Sequence, residues 1–120
     1  MLRLTTLGTL DLRGPAEANC AAVLAQPKRL GLLIYLAAAS PRRFHRRDSL
    51  LALFWPDLDE SHARAALRRT LHFLRSALGA DALVGRGDDE VAAGDGVWCD
   101  AAELDAALER GDLGRALELY

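Results

Sequence analysis

Only two cysteines occur in the 120 residues, Cys20 and Cys99, far apart and without a CxxC partner, so neither a zinc site nor a disulfide framework is encoded. Both fit small buried or half-buried thiols. Long apolar runs are also missing. The longest, residues 30–39, falls far short of the roughly 20 residues that a membrane span requires, and the N-terminus lacks a signal-peptide pattern. The expectation is a cytoplasmic protein with no membrane partner. Catalytic patterns are missing as well: there is no HExxH, no glycine loop to cradle phosphate and no nucleophile elbow, and His45, His62 and His72 lack metal-ligand spacing. No enzyme, catalytic residue, cofactor or metal is therefore expected, and the sequence contains no internal repeat.

What is present is a foldable composition with segregated charge. Half of the residues are hydrophobic and about a quarter charged, too apolar for a disordered chain and ordinary for one domain plus the beginning of another. The formal net charge is −2, yet residues 27–78 hold ten basic groups against four acidic ones. That block balances at +6 and leaves −8 for the remainder. A basic block inside an acidic protein is how an electrostatic footprint for phosphate survives a low isoelectric point. A set of solvated helix faces is the alternative origin of such a cluster.

Polar and apolar residues alternate through residues 2–7 and 9–12 around Gly8, which predicts two short antiparallel strands ended by Gly14-Pro15. Residues 20–24 read as a possible third strand. A first helix over 27–40 follows from the spacing of Leu30, Leu33, Ile34 and Ala37, with Pro27 in its first turn and Ser40-Pro41 as its stop. Residues 42–45 read as a short extended connection, and Leu50, Leu51, Phe54 and Trp55 mark a second helix ended by Pro56. Asp57, with Glu60 three residues later, resembles a capping box for a long third helix over 60–78 that stops at Gly79. Residues 82–92 form two apolar segments about a Gly/Asp-rich turn, the pattern of a hairpin. Asp100 reads as the N-cap of a helix carrying Leu104, Ala107 and Leu108, and Gly111-Asp112 separates it from another helix with Leu113, Ala116, Leu117 and Tyr120.

The third helix carries the functional expectation. On a wheel of about 100° per residue, Leu71, Leu74 and Leu78 fall within roughly 40° of Leu67, with Ala63 at their edge. Arg64, Arg68, Arg69, His72 and Arg75 occupy the opposite arc beside the small Ala65 and Ser76, and no acidic residue interrupts them after Glu60. The major groove admits one α-helix, and arginine matches both phosphate oxygens and the paired acceptors of a guanine edge. A short link into a basic helix, then a hairpin bearing Arg86, is the order of a winged helix-turn-helix. Lys28 and Arg29, and the cluster Arg42, Arg43, Arg46 and Arg47, are candidates for flanking phosphates. Tyr35, Phe54, Trp55 and Phe73 fit core packing better than base stacking.

The stretch Phe44-His45-Arg46-Arg47-Asp48-Ser49-Leu50-Leu51-Ala52-Leu53-Phe54-Trp55-Pro56-Asp57, with Ala63-Arg64-Ala65-Ala66-Leu67-Arg68-Arg69-Thr70-Leu71 and Leu74-Arg75-Ser76-Ala77-Leu78-Gly79, closely resembles the Streptomyces antibiotic regulatory protein (SARP) family. Leu4-Thr5-Thr6-Leu7-Gly8-Thr9-Leu10 and Trp98-Cys99-Asp100 also match. The resemblance implies an α+β, OmpR/PhoB-type winged-helix domain over residues 1–95, with an N-terminal antiparallel sheet, three helices and a C-terminal hairpin wing. It implies that residues 96–120 begin a tetratricopeptide-like bacterial transcriptional activator domain, of which only about one and a half helices are present. The implied function is sequence-specific binding of double-stranded promoter DNA for transcription regulation, in the nucleoid, with direct-repeat sites, a possible dimer and recruitment of RNA polymerase. The expected DNA-binding residues are Arg64, Arg68, Arg69, His72, Arg75, Arg46, Arg47 and Arg86. The competing expectation is a protein-interaction module whose basic helix face is incidental.

Overall fold

Leucines three and four residues apart share one side of a helix, a side that is stable only when turned to a core, and they set the frame of the molecule. In the computed structural model, which describes residues 1–39 and 44–120, the long helix spans Glu60–Leu78. Ala63, Leu67, Leu71, Leu74 and Leu78 are buried along it. Ala66 and Thr70 are buried too, so the inward face is wider than the leucine stripe, and the Thr70 hydroxyl donates back to the Ala66 carbonyl at 2.9 Å. Gly79, at φ 110°, ends the helix, a conformation that costs a side-chain-bearing residue strain.

The architecture is α+β, and the described elements are β1 (Leu2–Thr5), β2 (Asp11–Arg13), α1 (Cys20–Leu24), α2 (Pro27–Ala38), β3 (His45–Arg46), α3 (Arg47–Phe54), α4 (Glu60–Leu78), β4 (Leu83–Arg86), β5 (Glu90–Ala93), β6 (Val97–Cys99), α5 (Asp100–Glu109) and α6 (Leu113–Leu119). Strands β2, β1 and β6 form one sheet, and β3, β5 and β4 a second. Helix α2 lies at the centre, with Leu30, Leu32, Leu33, Leu36 and Ala37 buried against α1, α4, α5, β5 and β6. In the first sheet Leu2, Leu4, Leu12, Val97 and Cys99 turn inward, while Arg3 lies 4.2 Å over the ring of Trp98 on the other face. In the second, Val91, Ala92 and Ala93 of β5 are buried between two partners, β3 and β4, both antiparallel to it.

Four expectations are corrected. Residues 20–24 are helical: the Asn19 side chain caps them by accepting from the Ala22 amide at 3.2 Å, and their alanines favour a helix when no strand lies alongside. The N-terminal sheet is mixed, because β6 adds to β1 in parallel, with Leu2 opposite Val97 and Leu4 opposite Cys99. Asp59, not Asp57, caps α4, accepting from the His62 amide at 2.9 Å, which leaves Glu60 in the first turn to pair with Arg64. Asp100 is the first residue of α5 and not its cap, since Cys99 holds that position. The hairpin, the long helix and the α5–α6 pair stand where the pattern put them. Of the extended connection expected at 42–45, residues 42 and 43 lie outside the described residues.

Asp100 joins two distant parts of the chain. Its carboxylate is 5% exposed and accepts from the amides of Thr6 at 2.9 Å and Leu7 at 2.9 Å, from the Thr6 hydroxyl at 3.0 Å and from the Ala101 amide at 2.8 Å. Burial alone raises a carboxyl pKa, but the bonds from Leu7, Thr6 and Ala101 outweigh it and hold Asp100 below the usual carboxylate range. A carboxyl lowered in the folded state stabilises fully above its unfolded value, and the stabilisation fades as pH falls through the folded one. Asp100→Ala is therefore expected to cost about 2 kcal/mol at neutral pH, through stranded amides at residues 6 and 7. Urea unfolding should show the gap to the wild type narrowing as pH drops below about 4; a gap that stays undiminished well below that pH would contradict the bonding role.

Candidate nucleic-acid interface

The rotation of α4 set by its buried side leaves the opposite arc to solvent. Arg64, Arg68, Arg69 and His72 are exposed and Arg75 is half-buried, all on that arc. Their surroundings differ. Arg64 pairs with Glu60 one turn back and with Asp48 of α3 at 3.6 Å. Arg68, Arg69, His72 and Arg75 have no carboxylate or other hydrogen-bond partner for their side chains among the described residues. Acidic residues sit only at the start of the helix: Asp59, whose carboxyl is held low first by the His62 amide and then by the His62 ring at 2.8 Å, and Glu60.

Helix α3 reaches α4 through the short connection 55–59, and together with the hairpin it builds a cleft of about 190 Å³ on one flank of the exposed arc. Four arginines line it, Arg46 and Arg47 from the β3–α3 junction and Arg64 and Arg68 from α4. Two residues missed as part of any site, Asp88 and Asp89 of the hairpin turn, line it as well. The backbone fixes the turn beside the β3–α3 junction, because the Arg47 amide donates to the Asp89 carbonyl at 2.7 Å. Arg46 approaches Asp48 at 4.0 Å, and the Nε of Arg47 is buried without a hydrogen-bond partner. The only hint in the sequence was the run Asp88-Asp89-Glu90 beside a turn glycine.

A second cleft, of about 290 Å³, opens on the other flank of α4, where Lys28, Arg29 and Arg69 surround Trp55. Lys28 donates from Nζ to the Phe54 carbonyl at 2.7 Å, and Arg29 lies 4.5 Å over the Phe73 ring. Tyr35 contacts the rings of His45 and Phe54 at 5.0 and 5.9 Å, though it is 42% exposed; Phe54, Trp55 and Phe73 pack against the core. The structure thus brings Arg46 and Arg47 to the same flank as Arg64 and Arg68. Arg86 stands apart on β4, stacked 4.3 Å over Phe44 and bonded to Glu90 at 2.8 Å, which lowers the Glu90 carboxyl pKa. Arg42 and Arg43 lie outside the described residues. The sequence matches no protein-family model and no curated protein.

Arginines without internal partners contribute little to folding. Arg68→Ala and Arg69→Ala are each expected to move the unfolding free energy by less than about 0.5 kcal/mol. Leu71→Ala, on the buried side of the same helix, should cost about 3 kcal/mol. Denaturant titration of the three variants checks this; a large loss at either arginine would assign it a structural role.

Proposed function

We propose that this protein binds double-stranded DNA in a sequence-dependent way and regulates transcription, with α4 in the major groove and the β4–β5 hairpin beside it as a wing. The observation that carries the reading is the division of α4: leucines anchor one side in the core, while the exposed Arg68, Arg69 and His72 and the half-buried Arg75 on the other side have no side-chain partner among the described residues. Unpaired guanidiniums on a rigid helix hold their hydrogen-bonding capacity ready for a phosphate or a guanine edge. The small Ala65 and Ser76 on the same arc allow close approach to a groove floor. The clefts on both flanks put further cations where phosphates would lie on either side of a groove.

The same reading takes residues 1–95 as a winged-helix domain of the SARP kind and α5–α6 as the start of a tetratricopeptide-like array through which RNA polymerase is recruited, with two copies on direct repeats. It is supported by the order α3, short link, α4, hairpin, and by the packing of α6 on α5 as a helical pair. It places the protein in the cytoplasm at the nucleoid, and no helix among the described residues is long and apolar enough to cross a membrane. One observation favours a second reading, a protein-interaction module: Leu108, Leu113, Leu117 and Tyr120 are exposed on α5 and α6.

Salt separates the two. Duplex binding through arginines releases counterions, so affinity should fall steeply between about 50 and 200 mM salt. Arg68→Ala and Arg69→Ala should each weaken binding by about 1–3 kcal/mol in a fluorescence titration, and Arg110→Ala, on α5, should leave it unchanged. Equal affinities for all three variants, or binding indifferent to salt, would reject the DNA reading. Selection from random duplexes at two salt concentrations then identifies the preferred sequence.

A further inference from the structure

The cleft beside α4 is lined by charges of both signs. Arg46, Arg47, Arg64 and Arg68 contribute to it, a density of guanidinium groups that suits a phosphodiester. Asp48 lies among them, but its charge is matched by Arg46 and Arg64. Asp88 and Asp89 are different: both are exposed, and neither side chain has an ion-pair or hydrogen-bond partner among the described residues. Their charges therefore act on whatever enters the cleft. They are not free to swing away as a unit, since the Arg47 amide holds the Asp89 carbonyl and the Arg86–Glu90 pair closes the hairpin just behind them.

We infer that this cleft seats one backbone phosphate of a duplex and that Asp88 and Asp89 hold its affinity down. The inference rests on the DNA-binding reading and adds to it a role for two acidic residues beside the arginines. The attraction comes from the four guanidinium groups of Arg46, Arg47, Arg64 and Arg68 that line the cleft. The repulsion comes from two carboxylates that line the same cleft of about 190 Å³, close enough that salt screens them only partly. A site of this kind releases DNA readily, because the phosphate contact is sequence-independent and the penalty applies to every duplex alike.

The test uses the whole chain and two short duplexes of unrelated sequence, followed by fluorescence anisotropy at about 50 and 200 mM salt. Asp88→Asn with Asp89→Asn should tighten both duplexes by roughly threefold to tenfold at the lower salt, with a smaller gain at the higher. Asparagine keeps the turn preference, and a thermal melt matching the wild type confirms the fold; Asp88→Asn alone should give part of the gain. The double variant Asp105→Asn, Glu109→Gln removes the same charge from exposed positions on α5 and should change affinity less than twofold. Arg47→Gln should weaken both duplexes equally and lower the salt slope by about one. Wild-type binding with no gain in the Asp88 and Asp89 variants, an equal gain in the α5 variant, or an unchanged slope in Arg47→Gln overturns the inference while leaving DNA binding intact. Absence of duplex binding by the wild type and the variants overturns both.

Discussion

Burial of Leu67, Leu71, Leu74 and Leu78 fixes the rotation of α4 about its own axis, and every feature of the proposed interface depends on that angle. A leucine side chain taken from water gains on the order of 2 kcal/mol, so turning the helix by even a third of a revolution would expose several of them and bury guanidiniums in exchange. The arginines therefore face outward because the leucines leave them nowhere else to go. Ala66 and Thr70 widen the buried side toward the second cleft, which explains why Arg69 stands at one edge of the exposed arc and Arg64 at the other.

The helix is held in place by parts of the chain that are remote in sequence. Central α2 presents buried leucines to α4 on one side and to β5, β6 and α5 on others, so the leucine packing is shared by nearly every element. The parallel pairing of β6 with β1, and the three bonds from Thr6 and Leu7 to the Asp100 carboxylate, tie the first strand and the residues just after it to β6 and α5. Residues on either side of position 95 thus meet in one sheet. The α5–α6 pair grows outward from that sheet, its exposed leucines pointing away from the core.

What the sequence disclosed follows from how local each signal is. The span of α4, its terminating glycine, the hairpin and the break at Gly111-Asp112 are written in neighbouring residues, and they could be read directly. The helix at Cys20–Leu24 could not, because five apolar residues in a row carry no periodicity and the deciding contact is a cap from Asn19. Nor could β6, which has three residues and exists only because β1 offers an edge. The arginine face of α4 was legible from spacing alone. Its flanking clefts were not: they need β3, the hairpin turn and α2 brought against α4, and nothing in the run Asp88-Asp89 says which side chains it will face.

The distribution of free and tethered cations along α4 follows from the helix dipole. Carboxylates are stabilising in a first turn and cations in a last one, and α4 obeys this with Asp59 and Glu60 at its start and Arg75 at its end. The acidic start has a side effect. Glu60 lies one turn from Arg64 and draws its guanidinium back along the helix, with Asp48 adding to the hold. Such exposed pairs contribute at most about 1 kcal/mol, so Arg64 can exchange a carboxylate for a phosphate at small cost. From Arg68 to Arg75 the basic side chains have no such competitor among the described residues. That stretch rises about 10 Å along the axis, close to the roughly 12 Å width of a B-form major groove. The helix is thus divided lengthwise as well as around its circumference. Its first turn serves stability and the flanking phosphate, while its middle and last turns keep their hydrogen-bonding groups for the groove that we propose it enters.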